Sequence, residues 1–322
     1  MAQREPSGAT AKVTIVGAGL VGSTCAYSLM VRGIASEIVL IDIDRERAEG
    51  EAMDLNHALS FGRPARIAAG DYGDADGTSI AILTAGAAQK AGESRLSLAK
   101  TNVKITRNIV AELQRACPDA VLLVVANPVD ILTYAALKHS DYPPERVFGS
   151  GTILDTARLR SELSRHCGFD PHNIHAYIIG EHGDSEVPVW SLANVAGMRL
   201  REFCPACGRD CGQEVLDGLF ENAKNAAYQI IERKGATYYA IALGVARVVE
   251  AILRDQRTVM TVSTLIDDGY CGIDDVCLSL PTCIGRSGIL QRIPLQLTPQ
   301  EKEALRGSAE TLQGVLRDVG LQ

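Results

Sequence analysis

Several features are missing from this 322-residue chain, and each absence argues against a class of function. No apolar run is long enough to cross a membrane. Residues 1–12 are polar and lack the apolar core of a secretory signal. Positive charge is not in excess: 32 Lys and Arg against 39 Asp and Glu leave a formal net charge of −7. That balance argues against a broad nucleic-acid surface, so any anion site must be built from local basic residues. The nine cysteines are odd in number and scattered, which does not suit a disulfide framework in a chain this long. The sequence has no internal repeat and no low-complexity segment. What remains is 46% hydrophobic and 22% charged, the balance of a globular enzyme with ample length for a large core. The expected setting is the cytoplasm, with no membrane or nucleic-acid partner, and the first ten or so residues are expected to form a flexible tail.

Short apolar runs at 12–16, 37–41, 79–83, 121–125 and 147–148 read as buried strands. Helical spacing at 19–31, 45–59, 96–115 and 129–137 places helices between them. Strands alternating with helices predict a parallel sheet with crossover helices. After Gly149 the rhythm changes. Residues 154–167 read as a helix and 174–179 as a strand. A long helical stretch at 214–254 follows, which Gly235 is placed to break. The runs at 259–265 and 275–280 are β-rich, and 298–319 is an amphipathic closing helix. The fold class is α/β: an N-terminal Rossmann-type parallel-sheet domain (1–149) and a C-terminal α+β substrate domain (150–322).

Gly17-Ala-Gly-Leu-Val-Gly22 follows a strand and opens a helix. Gly17 allows the tight turn, Gly19 lets backbone approach a pyrophosphate, and Gly22 lets helix and strand pack closely. Leu20, Val21 and Gly22 lie in the first turn, whose free N–H groups suit phosphate. Asp42 stands twenty residues past Gly22 at the end of the next strand, where an acid would bind ribose hydroxyls. It would repel a 2′-phosphate, favouring NAD over NADP. The alternative for Asp42 is a strand-end helix cap.

His182 sits between two glycines in Ile178-Ile-Gly-Glu-His-Gly-Asp184. A histidine can give and recover a proton near neutral pH. Asp155 is the candidate for orienting its ring, with a helix N-cap as the second reading. Arg158, three residues on, shares a helix face with Asp155. Its guanidinium can bind a carboxylate through two parallel hydrogen bonds; a surface ion pair is the alternative. Nucleotide site, acid/base group and carboxylate clamp together imply hydride transfer at the carbon beside a carboxylate.

Six motifs occur in one order across almost the whole chain: Gly17-Ala-Gly-Leu-Val-Gly22, Gln89-Lys-Ala-Gly-Glu-Ser-Arg95, Asn127-Pro-Val-Asp130, Leu154-Asp-Thr-Ala-Arg158, Gly180-Glu-His-Gly-Asp184 and Lys234-Gly-Ala-Thr-Tyr-Tyr239. Together they resemble the lactate/malate dehydrogenase family, and within it the L-lactate dehydrogenases of bacteria. The resemblance implies NADH-dependent reduction of pyruvate to L-lactate, and a homotetramer. It implies that His182 is the proton donor and acceptor, Asp155 its partner and Arg158 the carboxylate clamp. Arg95 would lie on a mobile loop and polarise the carbonyl, with Gly86 and Gly92 as hinge points. Asn127 would contact substrate and nicotinamide, and Thr237 would line the pocket. Relatives resembling malate dehydrogenases carry arginine at the position of Gln89. A neutral Gln89 would leave a second substrate carboxylate unpaired, which is costly in a closed site. Arg160 and His175 match positions that bind fructose bisphosphate in allosteric relatives; interface hydrogen bonds are the other reading.

Cys204, Cys207 and Cys211 form a C-x2-C-x3-C cluster. A closed zinc site wants four ligands, and no fourth is adjacent. The expectation is a polar surface loop with free or transiently oxidised thiols, and no metal. Residues 238–249 have an apolar helical period and read as core or interface. The competing functions are a malate or other 2-hydroxyacid dehydrogenase, and a catalytically silent NAD-binding structural protein.

Overall fold

Runs of Val, Ile and Leu form strands here because both faces of the sheet they join are covered. The computed structural model describes residues 11–87 and 94–322; the expected tail at 1–10 lies outside the described residues, as do Gln89, Gly92 and the side chain of Cys207. The first half of the chain runs β1 (Lys12–Val16), α1 (Leu20–Arg32), β2 (Glu37–Ile41), α2 (Arg45–Ala58), β3 (Arg66–Ala69), β4 (Ile80–Leu83), α3 (Arg95–Ala116), β5 (Val121–Val124), α4 (Val129–Lys138) and β6 (Val147–Gly149). These strands pair in parallel in the order β3-β2-β1-β4-β5-β6. The order reverses between β1 and β4, and ligands bind such sheets beyond the carboxyl ends of the strands at that switch point. Val13, Ile15, Ile38 and Leu40 enter one core while Val16, Val39 and Ile41 enter the other, the period of two that a strand imposes. Burying one such side chain contributes about 1.5–3 kcal/mol.

The second half runs α5 (Ile153–Cys167), β7 (Ile174–His175), β8 (Ile178–Ile179), β9 (Val187–Pro188), β10 (Asn194–Val195), β11 (Met198–Arg199), α6 (Leu200–Cys207), α7 (Gln213–Lys234), α8 (Tyr239–Leu253), β12 (Thr258–Ile266), β13 (Val276–Gly285), β14 (Gly288–Arg292) and α9 (Pro299–Val319). β12 to β14 extend the first sheet antiparallel beyond β6, making nine strands. Gly235, at φ +85, ends α7. The apolar face of α8, with Ala242, Val245, Val249 and Ile252, is buried in the core shared with β1 and β2.

Three local expectations need correction. Residues 174–179 are two strands, not one. Between them the Ala176 carbonyl accepts from Arg160 Nε at 3.0 Å and the Tyr177 carbonyl from Val189 N–H at 2.9 Å, so that backbone is diverted from a single ladder. The segment around the cysteine cluster is not simply a polar loop. Leu200 and Cys204, one helical turn apart on α6, are buried with Leu159 and Leu163 of α5, and Cys204 is joined to Cys211 in a disulfide. Finally, Thr152 is the N-cap residue of α5, so Asp155 lies inside the first turn rather than before it.

Candidate active site

The turn after β1 has the shape the glycine motif predicts. Gly17 has φ +105, a left-handed value that favours glycine, and a Cβ there would sit 2.6 Å from the Ala85 nitrogen. A Cβ on Gly22 would lie 1.8 Å from the Gly17 carbonyl oxygen, which explains why helix and strand can approach only through glycine. A Cβ on Gly19 would meet no described residue within 4 Å outside its own neighbours and helix backbone. Gly19 is the N-cap of α1 and offers no side-chain acceptor to the first turn around Leu20 and Val21. This bare helix start beside an open space fits a pyrophosphate. Asp42 accepts from Ala18 N–H at 2.6 Å and Asp44 N–H at 2.9 Å. The cap of α2 is Asp44, which accepts from Arg47 N–H. Asp42 therefore holds the end of β2 against the glycine turn, and its carboxylate keeps lone pairs for ribose hydroxyls.

The candidate proton-transfer group is assembled across the fold. Gly180, on the segment leading from β8, exchanges two backbone hydrogen bonds with Ser279 of β13 (2.9 and 2.8 Å), which anchors the turn carrying His182. His182 Nδ1 is 2.5 Å from Asp155 Oδ2, and Arg158 donates to Asp155 Oδ1 at 2.7 Å. Asp155 thus bridges the two. Its own surroundings are dry, with 3% exposure. Burial pushes the Asp155 carboxyl up, but the charges and hydrogen bonds of His182 and Arg158 prevail and hold it below its ordinary range. For His182, burial favours the neutral ring, yet Asp155, Asp130 and Glu186 outweigh it and raise the imidazole to about 9. With Nδ1 committed to Asp155, Nε2 is the ring nitrogen left for a substrate. A cavity of about 760 Å³ is lined by His182, Asp155, Arg158, Asn127 and Arg95, among others.

The remaining candidates divide. Asn127 lies three residues beyond β5, before a cis peptide bond to Pro128. Its carbonyl accepts from Asn102 Nδ2 at 2.9 Å and its side-chain oxygen from Val129 N–H at 3.3 Å. Arg95 is the first residue of α3, capped by Ser94, rather than a loop residue. Its guanidinium pairs with Asp184 Oδ2 at 2.9 Å. Thr237 sits half-buried in the α7–α8 connection and is not among the residues lining the cavity. Arg160 points away from Arg158: besides its bond to the Ala176 carbonyl, it lies over the Tyr177 ring. His175 is exposed on the adjacent β7. Gln89 and Gly92, one of the two expected hinge points, lie outside the described residues, while Gly86 precedes them.

The sequence reading gave no role to two buried acids, although Asp130 closes one of its motifs. Asp130, 3% exposed on α4, accepts from His182 N–H at 2.8 Å and from Ser263 Oγ at 2.5 Å. Burial raises it to about 6, against those hydrogen bonds. The signal was present: one acid within the apolar helix Val129–Lys138. Glu186 is 7% exposed, and its Oε1 has no hydrogen-bond partner among the described residues. Burial, then the charge of Asp155, raises it to about 8. A further pair, Lys224 and Tyr228 on α7, donates to the Asp184 carbonyl (2.7 Å) and carboxylate (3.1 Å) and lines the same cavity.

With this geometry in place, comparison with known proteins is specific. Residues 11–149 match the lactate/malate dehydrogenase NAD binding domain and residues 152–320 the lactate/malate dehydrogenase alpha/beta C-terminal domain. The chain is 50% identical over 310 residues to an L-lactate dehydrogenase of Thermoanaerobacter sp. (strain X514), covering 96% of this chain and 99% of that one. It is 51% identical over 311 residues to an L-lactate dehydrogenase of Acetivibrio thermocellus, covering 96% and 98%. Among solved structures, a minor L-lactate dehydrogenase from Enterococcus mundtii, in a ligands-bound form, superposes with a TM-score of 0.94 at 42% identity, covering 98% of this chain and all of that one.

Proposed function

We propose, from the premise that this chain belongs to the lactate/malate dehydrogenase family, how its site carries out the reaction of an NAD-dependent L-lactate dehydrogenase. The observation that carries the reading is the single carboxylate of Asp155, which holds His182 by one oxygen and Arg158 by the other in one cavity. The reaction is read as the reversible reduction of pyruvate to L-lactate. The glycine turn and Asp42 would hold NAD(H), which would supply the hydride or its acceptor. The chain's own residues do the rest. Arg158 grips the pyruvate carboxylate and fixes which face of the carbonyl is presented. His182, already an imidazolium at neutral pH, gives a proton from Nε2 to the carbonyl oxygen. Asp155 keeps the ring oriented and stabilises its charge. Arg95 rests on Asp184 in the state described here; substrate contact requires it to exchange that carboxylate for the carbonyl.

The proposed division of labour puts the cofactor on residues 1–149 and the acid/base and clamp on 150–322. The proposed substrate preference rests on Gln89. Steady-state NADH oxidation with pyruvate and with oxaloacetate tests it, pyruvate being expected to give the larger kcat/KM. In Gln89→Arg the ratio should move towards oxaloacetate, because arginine pairs the added carboxylate and is itself left unpaired against a methyl group. An unchanged ratio would show that Gln89 does not face substrate.

The proposed setting is cytoplasmic fermentation, where reduction of pyruvate restores NAD for glycolysis, and the proposed assembly is a homotetramer. Fructose bisphosphate is the proposed activator. Support comes from Arg160: it is half-buried, has no carboxylate partner among the described residues, and keeps its terminal amino groups after spending Nε on a carbonyl. A phosphate would supply the missing counter-charge, and His175 lies on the neighbouring strand. Two subunits meeting across a two-fold axis would present four such groups to one bisphosphate. Activation should appear as a lower apparent KM for pyruvate, worth ~1–3 kcal/mol, and Arg160→Gln should abolish it without changing turnover at saturating pyruvate. Wild-type kinetics indifferent to fructose bisphosphate would leave Arg160 and His175 as interface structure.

A further inference from the structure

A second cluster of reactive side chains lies away from the catalytic cavity. His166 is in the last turn of α5, Cys204 on α6 and Cys211 in the α6–α7 connection. One donor atom from each, the two Sγ and a ring nitrogen, lie within 4.8 Å of one another. His166 Nε2 is 3.9 Å from Cys211 Sγ and 2.7 Å from the Asp210 carbonyl oxygen. The two sulfurs are joined as a disulfide, with Cα atoms 6.0 Å apart. We propose that His166, Cys204 and Cys211 form a site for one thiophilic divalent cation, zinc(II) foremost, when the disulfide is reduced.

The argument is one of chemistry and placement. A disulfide has no need of an imidazole against its sulfurs, whereas two thiolates and an imidazole are three of the four ligands that tetrahedral zinc takes. Disulfide bonding is not this chain's general habit: Cys25, Cys117, Cys271, Cys277 and Cys283 carry none. In a reducing compartment the Cys204–Cys211 bond would open. A dithiol reductant passes two electrons and two protons to the S–S bond, leaving two thiols and the reductant's own disulfide. Zinc then displaces both thiol protons, and the two thiolates balance its charge. Zn–S bonds of about 2.3 Å in a tetrahedron set the sulfurs about 3.8 Å apart, reached by side-chain rotation from their present positions. His166 Nε2 would exchange its hydrogen bond to the Asp210 carbonyl for the metal, with the ring proton moving to Nδ1. Access is open through a depression lined by Arg201, Arg209, Asp210, Cys211 and Gln213; the fourth ligand position is left to water or a further donor. Such a site would tie the end of α5, whose first turns carry Asp155 and Arg158, to the start of α7, which carries Lys224 and Tyr228. A metal that binds the folded chain raises its stability by mass action.

The test uses the full-length protein in two forms, reduced with a phosphine and oxidised, each incubated with zinc(II) or cobalt(II) and freed of excess. The reduced form should retain about one metal per chain and, with cobalt, show thiolate-to-metal charge transfer and the strong visible bands of tetrahedral coordination. Its Tm should rise with zinc. The oxidised form should do neither. Cys211→Ser and His166→Gln, checked for fold by circular dichroism and for pyruvate reduction, should each lose the bound metal. If a variant does not fold, the comparison of reduced and oxidised wild type still decides. Reduced wild type that retains no stoichiometric metal, or metal that survives both substitutions or oxidation, would overturn the proposal.

Discussion

Replacing His182 with asparagine should leave NADH binding intact and lower turnover on pyruvate by at least ~100-fold, the low end for a lost general acid. Asparagine keeps a hydrogen-bonding side chain near Asp155 but cannot carry a transferable proton. NADH binding is read separately, by fluorescence titration, because the glycine turn and Asp42 lie on β1, α1 and β2, not on the turn that holds His182. The wild-type pH profile supplies a second readout. The folded-state pKa of His182 is raised to about 9, so the ring is protonated at neutral pH and loses its proton as pH rises through that value. Pyruvate reduction, which needs the imidazolium, should hold level through neutral pH and then fall on the alkaline side. L-Lactate oxidation, which needs the neutral ring, should rise over the same range. In His182→Asn both limbs should vanish. Near-normal turnover in the variant would remove His182 from proton transfer.

The second large effect is expected at Arg158. Arg158→Leu removes the proposed carboxylate clamp and leaves a substrate charge without its partner in the cavity. Losing one member of a buried, hydrogen-bonded charge pair costs about 2–5 kcal/mol, equivalent to a fall of roughly 30-fold to more than 1,000-fold in kcat/KM for pyruvate. The KM should rise, since the clamp acts on the bound substrate before the chemical step. Arg158→Lys, which keeps the charge but loses the two-pronged geometry, should fall between wild type and Arg158→Leu. Asp155 would keep His182 as a partner, so the alkaline limb of the pH profile should survive in both variants, in contrast to His182→Asn. If KM were unchanged in Arg158→Leu, the arginine would serve only to steady Asp155, and the substrate carboxylate would have to be held elsewhere.

The amino-acid sequence by itself determined the parts of this protein that depend on near neighbours. The apolar runs of β1, β2 and β5, the glycine turn after β1, the break at Gly235 and the start of α9 are local events. Steric limits on φ, the period of a strand or helix and the free N–H groups of a helix start all act within a few residues. His182, Asp155 and Arg158 were legible for a related reason: histidine between glycines, and an acid and an arginine three apart on a helix, are short patterns with a chemical meaning. Only the tertiary structure decided which distant groups meet. Asp155 is 27 residues from His182, Asp130 is 52 from His182, and Ser263 is 133 from Asp130. No periodicity spans such gaps; the contacts arise because β12 and β13 join the sheet beside β6 and bring their side chains and backbone against α4, α5 and the turn after β8. The folded chain also buries Glu186, with no hydrogen-bond partner for Oε1 among the described residues, and puts Arg95 on Asp184. The packing of α6 against α5 set His166 beside two cysteines, a donor that the spacing of the cysteines could not supply. Burial then gave these groups their chemistry, because a carboxylate or imidazole takes its proton affinity from the charges and solvent that the folded chain places around it.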